Sequence, residues 1–197
     1  MTYELLLAVA LFAFSTSITP GPNNIMVMAS GLNHGVVKSL PHFLGIIIGF
    51  PSMIVLVGLG LSSVFEAYPL VHEVIRWVGI AYLLYLAWII ANTRAIGDSE
   101  ARKPISFLQA AAFQWVNPKA WIMVVGALAA FSQPGTGLWM SVAIIAAAFI
   151  LIGGPCVAAW MLFGVGLKRY LNDPAHLRRF NIGMAILLVA SIIPMVL

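Results

Sequence analysis

The sequence predicts an all-α integral membrane protein of six transmembrane helices, arranged as two inverted three-helix repeats, with helices one and four broken at proline motifs. Three observations predict it. The 197 residues are 62% hydrophobic and only 8% charged, with a mean hydropathy of +1.02, too little polar surface to cover a soluble globule. The cationic residues fall in alternate connections. Two proline-broken segments take matching places in the two halves of the chain.

The apolar runs are long rather than alternating, so they read as helices of roughly 20 residues and not as barrel strands. Six spans are expected, near Glu4 to Ser30, Phe43 to Leu61, Val74 to Ala91, Phe107 to Ala130, Leu138 to Phe163 and Phe180 to Leu197. The first lacks the basic region and small-residue cleavage site of a signal peptide and is read as a mature helix. Together the spans form one membrane domain over 1–197, with repeat 1 over about 1–91, a cytoplasmic linker at 92–104 and repeat 2 over about 105–197.

Lys38 lies in the first connection, Arg94, Arg102 and Lys103 in the third, and Lys168, Arg169, Arg178 and Arg179 in the fifth; "SSVFEAYPL" and "SQPGTG" carry no cation. Cytoplasmic loops retain Lys and Arg, so connections one, three and five are expected inside and both termini periplasmic. This placement also accounts for the basic balance without a nucleic-acid partner. Arg76 sits near the outer end of span three, with Glu73 three residues earlier as its expected partner.

The repeat shows where "GIAYLL" from Gly79 lies over "GMAILL" from Gly183, an offset of 104 residues. "TPGPN" in span one faces "WVNPK" in span four, and Pro51 faces Pro155. Halves of three spans each enter the membrane from opposite sides, the pattern of an inverted repeat.

Proline lacks the N–H donor and clashes with the preceding turn, so Pro20 and Pro22 around Gly21 end one half-helix and let another begin near Asn23. Stranded carbonyls and N–H groups are costly in hydrocarbon unless protein or a hydrated cavity satisfies them. The same holds at Asn117-Pro118. Such paired breaks mark a central substrate site. Half-helix N-termini after Pro22 and Pro118 suit a carboxylate, and the oxygens of Thr19, Asn23, Gln114 and Asn117 suit an ammonium. Lys119 adds an ionisable group inside the span, as carboxylate partner or proton carrier, unless it snorkels to the cytoplasmic surface.

Other features have plainer readings. "GIIIG", Gly45 to Gly49, permits close helix approach, across a homodimer or, as preferred here, within the bundle. Trp77, Trp88, Trp115, Trp121, Tyr82 and Tyr85 divide between interface anchors and packing, with Trp115 or Trp121 as candidate walls of the pocket. His42 reads as a hydrated helix-end histidine, with a titrating role as the alternative. Asn172-Asp173-Pro174 reads as a turn. Cys156 is the only cysteine, which excludes an intramolecular disulfide or a CxxC pair.

At "TPGPNN", at His34-Gly35, at "GIAYLLYLAW" and at "QWVNPKAW" the chain resembles the LysE/RhtB amino-acid exporter family, the LysE-type translocators of bacterial inner membranes. The resemblance covers essentially the whole chain. "KPISF" at Lys103 to Phe107 and the doubled Asn23-Asn24 most resemble the cysteine/O-acetylserine exporter branch. It implies export of small amino acids powered by the membrane gradient through proton antiport, with no cofactor, metal or catalytic residue. Thr19, Pro20, Gly21, Pro22 and Asn23 carry over from the first motif, and Asn117, Pro118 and Lys119 from the second. Many relatives have an aspartate after the glycine of span two, where this chain has Phe50. The competing classes are a passive channel and a membrane-embedded enzyme or redox component. Against the latter, the sequence has neither a thiol pair nor an HExxH motif.

Overall fold

The computed structural model describes residues 2–61, 69–92, 104–132, 137–171 and 173–190. All regular structure among them is helical: α1 (Tyr3–Ile18), α2 (Pro22–Leu56) running into a π-helical turn (Val57–Leu61), and α3 (Pro69–Ala91). α4 (Phe107–Phe113) leads through a 3-10 turn (Gln114–Val116) to α5 (Pro118–Phe131). α6 (Leu138–Ala148) passes through a second π-helical turn (Phe149–Gly153) into α7 (Gly154–Leu167), and α8 (Pro174–Ala190) follows.

Local chemistry sets the helix starts. The Thr2 hydroxyl accepts from Leu5 N–H, with Glu4 in the first turn of α1. Ser106 and Gln109 cap α4 reciprocally. α2 and α5 both open on a proline, Pro22 and Pro118, where the missing N–H has no intrahelical partner to lose. At α8, Asp173 accepts from Ala175 N–H through its carboxylate and from Leu177 N–H through its carbonyl, as the expected turn requires. Asn172 lies outside the described residues.

Several boundaries move. The first connection is very short: two helical segments of α2 meet at Gly35, at φ +74° and ψ −179°, and Ser30 Oγ lies 2.9 Å from His42 Nδ1, so the chain turns back there. A left-handed φ is cheap for glycine alone, so this residue turns the helix axis with no loop. α3 begins at Pro69, before Val74, and α8 begins at Pro174, before Phe180. Arg178 and Arg179 are therefore helical residues. The linker cations Arg94, Arg102 and Lys103 and the Glu73 and Arg76 side chains lie outside the described residues, as does the Tyr82 side chain.

α1 touches α5, which follows the second break, while α2 packs on α4, which precedes it; α3 packs along α8. Two buried apolar clusters lie on these groupings. One joins Val9, Ala13, Met53, Val124 and Ile145; the other joins Ile25, Met28, Leu83, Phe113 and Leu188. The largest set of packing contacts is between α2 and α7, because glycines let their backbones meet. A Cβ at Gly31 would run into the Met161 carbonyl, and one at Gly164 into the Met28 carbonyl. The "GIIIG" glycines act likewise inside the chain: a Cβ at Gly45 would lie 2.6 Å from Ala110 Cβ, and one at Gly49 would lie 2.7 Å from Ala111 Cα. Many large apolar side chains, among them Leu11, Trp88, Leu108, Ile122 and Leu151, are exposed on the outside, as a lipid-facing belt demands.

Gly31→Ala and Gly164→Ala should each destabilise the fold by about 1–3 kcal/mol through overpacking, read as a lower melting temperature in detergent. Gly183, with nothing within 4 Å of its would-be Cβ, is the control, because alanine there gains up to about 1 kcal/mol of helix propensity.

Candidate functional site

The end of α1 strands the carbonyls that a continuous helix would have satisfied, and side chains from across the fold take them up. Thr19 Oγ1 donates to Thr16 O at 2.9 Å. Asn24 Nδ2 donates to Ser17 O and to Thr19 O, both at 2.8 Å. Trp160 Nε1, on α7, donates to Ile18 O at 3.1 Å. Lys119 Nζ, from the first turn of α5, donates to Thr19 O at 2.7 Å, Thr19 Oγ1 at 2.9 Å and Pro20 O at 3.2 Å. Three N–H donors thus meet three neutral oxygens, the full complement of an ammonium.

The second break is built in the same way with fewer parts. Asn117 is the N-cap of α5, and its Oδ1 accepts from Lys119 N–H at 3.1 Å. The two breaks are joined by a reciprocal amide pair: Asn23 Nδ2 donates to Gln114 Oε1 at 2.8 Å, and Gln114 Nε2 donates back to Asn23 Oδ1 at 3.2 Å. Gln114 also donates to Ala110 O. Being fully buried, it holds Asn23 from behind.

A cavity of about 50 Å³ lies against both breaks, room for very few water molecules. Its polar side is Thr16, Ser17, Gly21, Asn23, Asn24, Asn117 and Lys119; its apolar side includes Ile46, Ile47, Phe50, Met123, Phe149 and Val157. Phe50 and Phe149 meet edge to face at 4.9 Å. Pro51, also in the wall, removes the N–H that the Ile47 carbonyl would receive. Gly153 brings the π-helical turn against α1, since a Cβ there would lie 2.8 Å from Ser17 Oγ. Thr19 and Pro20 are exposed where Gly21 and Pro22 are buried, so Lys119 stands at the mouth of this cavity. No side chain caps the first N–H groups of α2.

Of the residues singled out from the sequence, Gly21, Asn23, Asn117 and Lys119 line the cavity. Thr19 and Pro20 contribute the oxygens that hold Lys119, and Pro22 and Pro118 shape the helix starts without lining it. Lys119 Nζ bonds to the oxygens at the first break. Trp115 and Trp121 do not line this cavity; they pack on each other at 6.0 Å, with Trp121 Nε1 donating to Trp115 O. His42 is not a hydrated helix-end residue: it is fully buried, with Nδ1 2.9 Å from Ser30 Oγ and no hydrogen-bond partner for Nε2. The sequence reading missed Ser17, Asn24 and Trp160 as parts of the break. Ser17 and Asn24 were findable as small polar residues flanking "TPGPN", whereas nothing local to Trp160 points to Ile18.

Asn24→Ala should cost about 1–3 kcal/mol of stability by orphaning the buried Ser17 carbonyl, measured by thermal melting. Asn92→Ala, removing an exposed local bond to Trp88 O, should change it little.

Residues 14–191 match the model of the LysE type translocator family. The cysteine/O-acetylserine efflux proteins of Escherichia coli strain K12 and Shigella sonnei strain Ss046 are each 34% identical to the chain over 190 residues, covering 96% of it and 96% of the relative. No solved structure gives a significant match. With the family model spanning both breaks and nearly the whole length, the chain belongs to the LysE type translocator family.

Proposed function

We propose that the protein is a secondary active exporter of small amino acids across the bacterial inner membrane, working by alternating access with proton antiport. The observation that carries this reading is the meeting of two broken helices at one cavity, with polar half-helix ends on one side and an apolar wall on the other. Thr19, Pro20, Gly21, Pro22, Asn23, Gln114, Asn117, Pro118 and Lys119 form or support the substrate site. The uncapped start of α2 receives the carboxylate. The carbonyls at Thr19 and Pro20 receive the ammonium, and Phe50, Met123 and Phe149 face the side chain. Cysteine, O-acetylserine and other small neutral amino acids fit that division, in keeping with the names of the relatives.

Six spans in two inverted halves fit the contacts, which set α1, before the first break, beside α5, after the second, and α2, after the first, beside α4, before the second. Lys38, Lys168, Arg169, Arg178 and Arg179 are all exposed, which suits one cytoplasmic face with both termini periplasmic. At about 50 Å³ the cavity is in a contracted state, so loading requires the wall to move. The two π-helical turns, one of them in the cavity wall, are suitable places for that movement.

Purified protein in vesicles should accumulate cysteine or O-acetylserine against a gradient when a pH difference is imposed. Downhill flux with no accumulation, following the membrane potential, would make it a channel instead. Asn117→Ala and Asn23→Ala should each raise the half-saturating substrate concentration about tenfold, the loss of one good hydrogen bond. Lysine and arginine should be poor substrates, since no carboxylate lines the cavity among the described residues.

A further inference from the structure

We propose that Lys119 is a built-in rival of the substrate's ammonium, and that antiport arises because the two cations take turns on the same three oxygens. This rests on the exporter reading above and names its coupling residue. The geometry is the argument. Lys119 Nζ already holds the contacts an amino-acid ammonium needs, with Thr19 O, Thr19 Oγ1 and Pro20 O all within 3.2 Å. The lysine chain also fills the approach, since Gly21 faces its Cδ so closely that a Cβ there would lie 2.6 Å away. No glycine-to-alanine change fits without displacing it.

Nothing else at the site can trade charge. Among the described residues Lys119 is the only ionisable group lining the cavity. α1 carries only Tyr3 and Glu4, both in its first turn, and α5 carries no other ionisable group. α6 and the π-helical turn after it carry none. On α7, Cys156 is buried and does not line the cavity, and Lys168 comes only after the helix ends. On α2, His34 and Lys38 lie on either side of the Gly35 kink, and His42, one turn before Ile46, does not line the cavity. Three neutral oxygens can solvate one cation; with no anion between them, two cations repel.

The cycle balances. Facing the cytoplasm, substrate ammonium arrives, Lys119 gives its proton to cytoplasmic water, and the substrate takes the three oxygens. Facing outward, Lys119 takes a proton from periplasmic water, its ammonium returns to Thr19 and Pro20, and the substrate leaves intact. One zwitterion goes out and one proton comes in, carrying one positive charge inward.

The test uses the full chain in vesicles with the membrane potential clamped. Interiors more acidic by about 1 pH unit should bring wild-type accumulation to a limit of about tenfold, the value for one proton per substrate. A limit near a hundredfold would require a second proton site and overturn the single-lysine exchange. Lys119→Gln should keep exchange of labelled for unlabelled substrate at a reduced rate, while its accumulation ratio falls to about 1. Lys119→Arg, a permanent cation, should lose both. Accumulation retained by Lys119→Gln overturns the proposal. So does loss of its exchange in protein that still melts as wild type, because the lysine would then be a plain binding group. If wild-type protein accumulates no amino acid at all, the exporter reading itself fails.

Discussion

Everything near the centre of this molecule depends on one ammonium group sitting on the loose end of a broken helix. Two prolines around Gly21 deprive α1 of its continuation and leave carbonyls that hydrocarbon cannot satisfy. Lys119 reaches them from a helix a hundred residues away. A half-buried charge without a carboxylate is costly, and stranded carbonyls are costly; each makes the other tolerable. The second break serves this arrangement, since Pro118 starts α5 in such a place that its first-turn lysine points at the first break.

The remaining bonds hold that pairing in register. Asn23 and Gln114 exchange one donor and one acceptor each, which fixes the orientation of both amides. Asn24 and Trp160 take the carbonyls that the lysine does not reach. Behind them, glycine contacts at Gly31, Gly164, Gly45 and Gly49 bring α7 and α4 against α2 at backbone distance, where dispersion between close-packed surfaces substitutes for the hydrophobic effect that a bilayer does not supply. The site is therefore polar contacts clamped between dry, tight crossings. Such a design can switch between discrete packings more readily than it can deform gradually.

Much of this was legible in the sequence, for local reasons. A missing N–H is a property of proline wherever it stands, so "TPGPN" and "WVNPK" announce breaks before any fold is known. The residues that repair them are another matter. Lys119 was visible as an ionisable residue in an apolar run, but its partners Thr19 and Pro20 depend on how two halves meet. Gln114 was visible as a polar residue beside the second break, but its pairing with Asn23 was not, and Trp160 looks like a packing residue until the fold carries it to Ile18. The first connection is shorter than expected for a local reason: Gly35 alone makes the turn, and the second segment of α2 starts early enough to carry His42 into the interior against Ser30.

Phe50 ties these threads to chemistry. Where many relatives are expected to carry an aspartate, this chain places an aromatic ring against Phe149 in the cavity wall. A carboxylate there would give Lys119 a permanent partner of opposite charge, drawing the ammonium off the neutral oxygens by several kcal/mol at short range. With phenylalanine the lysine has only carbonyl and hydroxyl oxygens to choose from, ligands that an amino-acid ammonium can claim on equal terms. A phenylalanine at position 50 and the lysine's hold on the broken helix are thus one arrangement, and under the proposed export it suits a substrate whose only cation is its own amine.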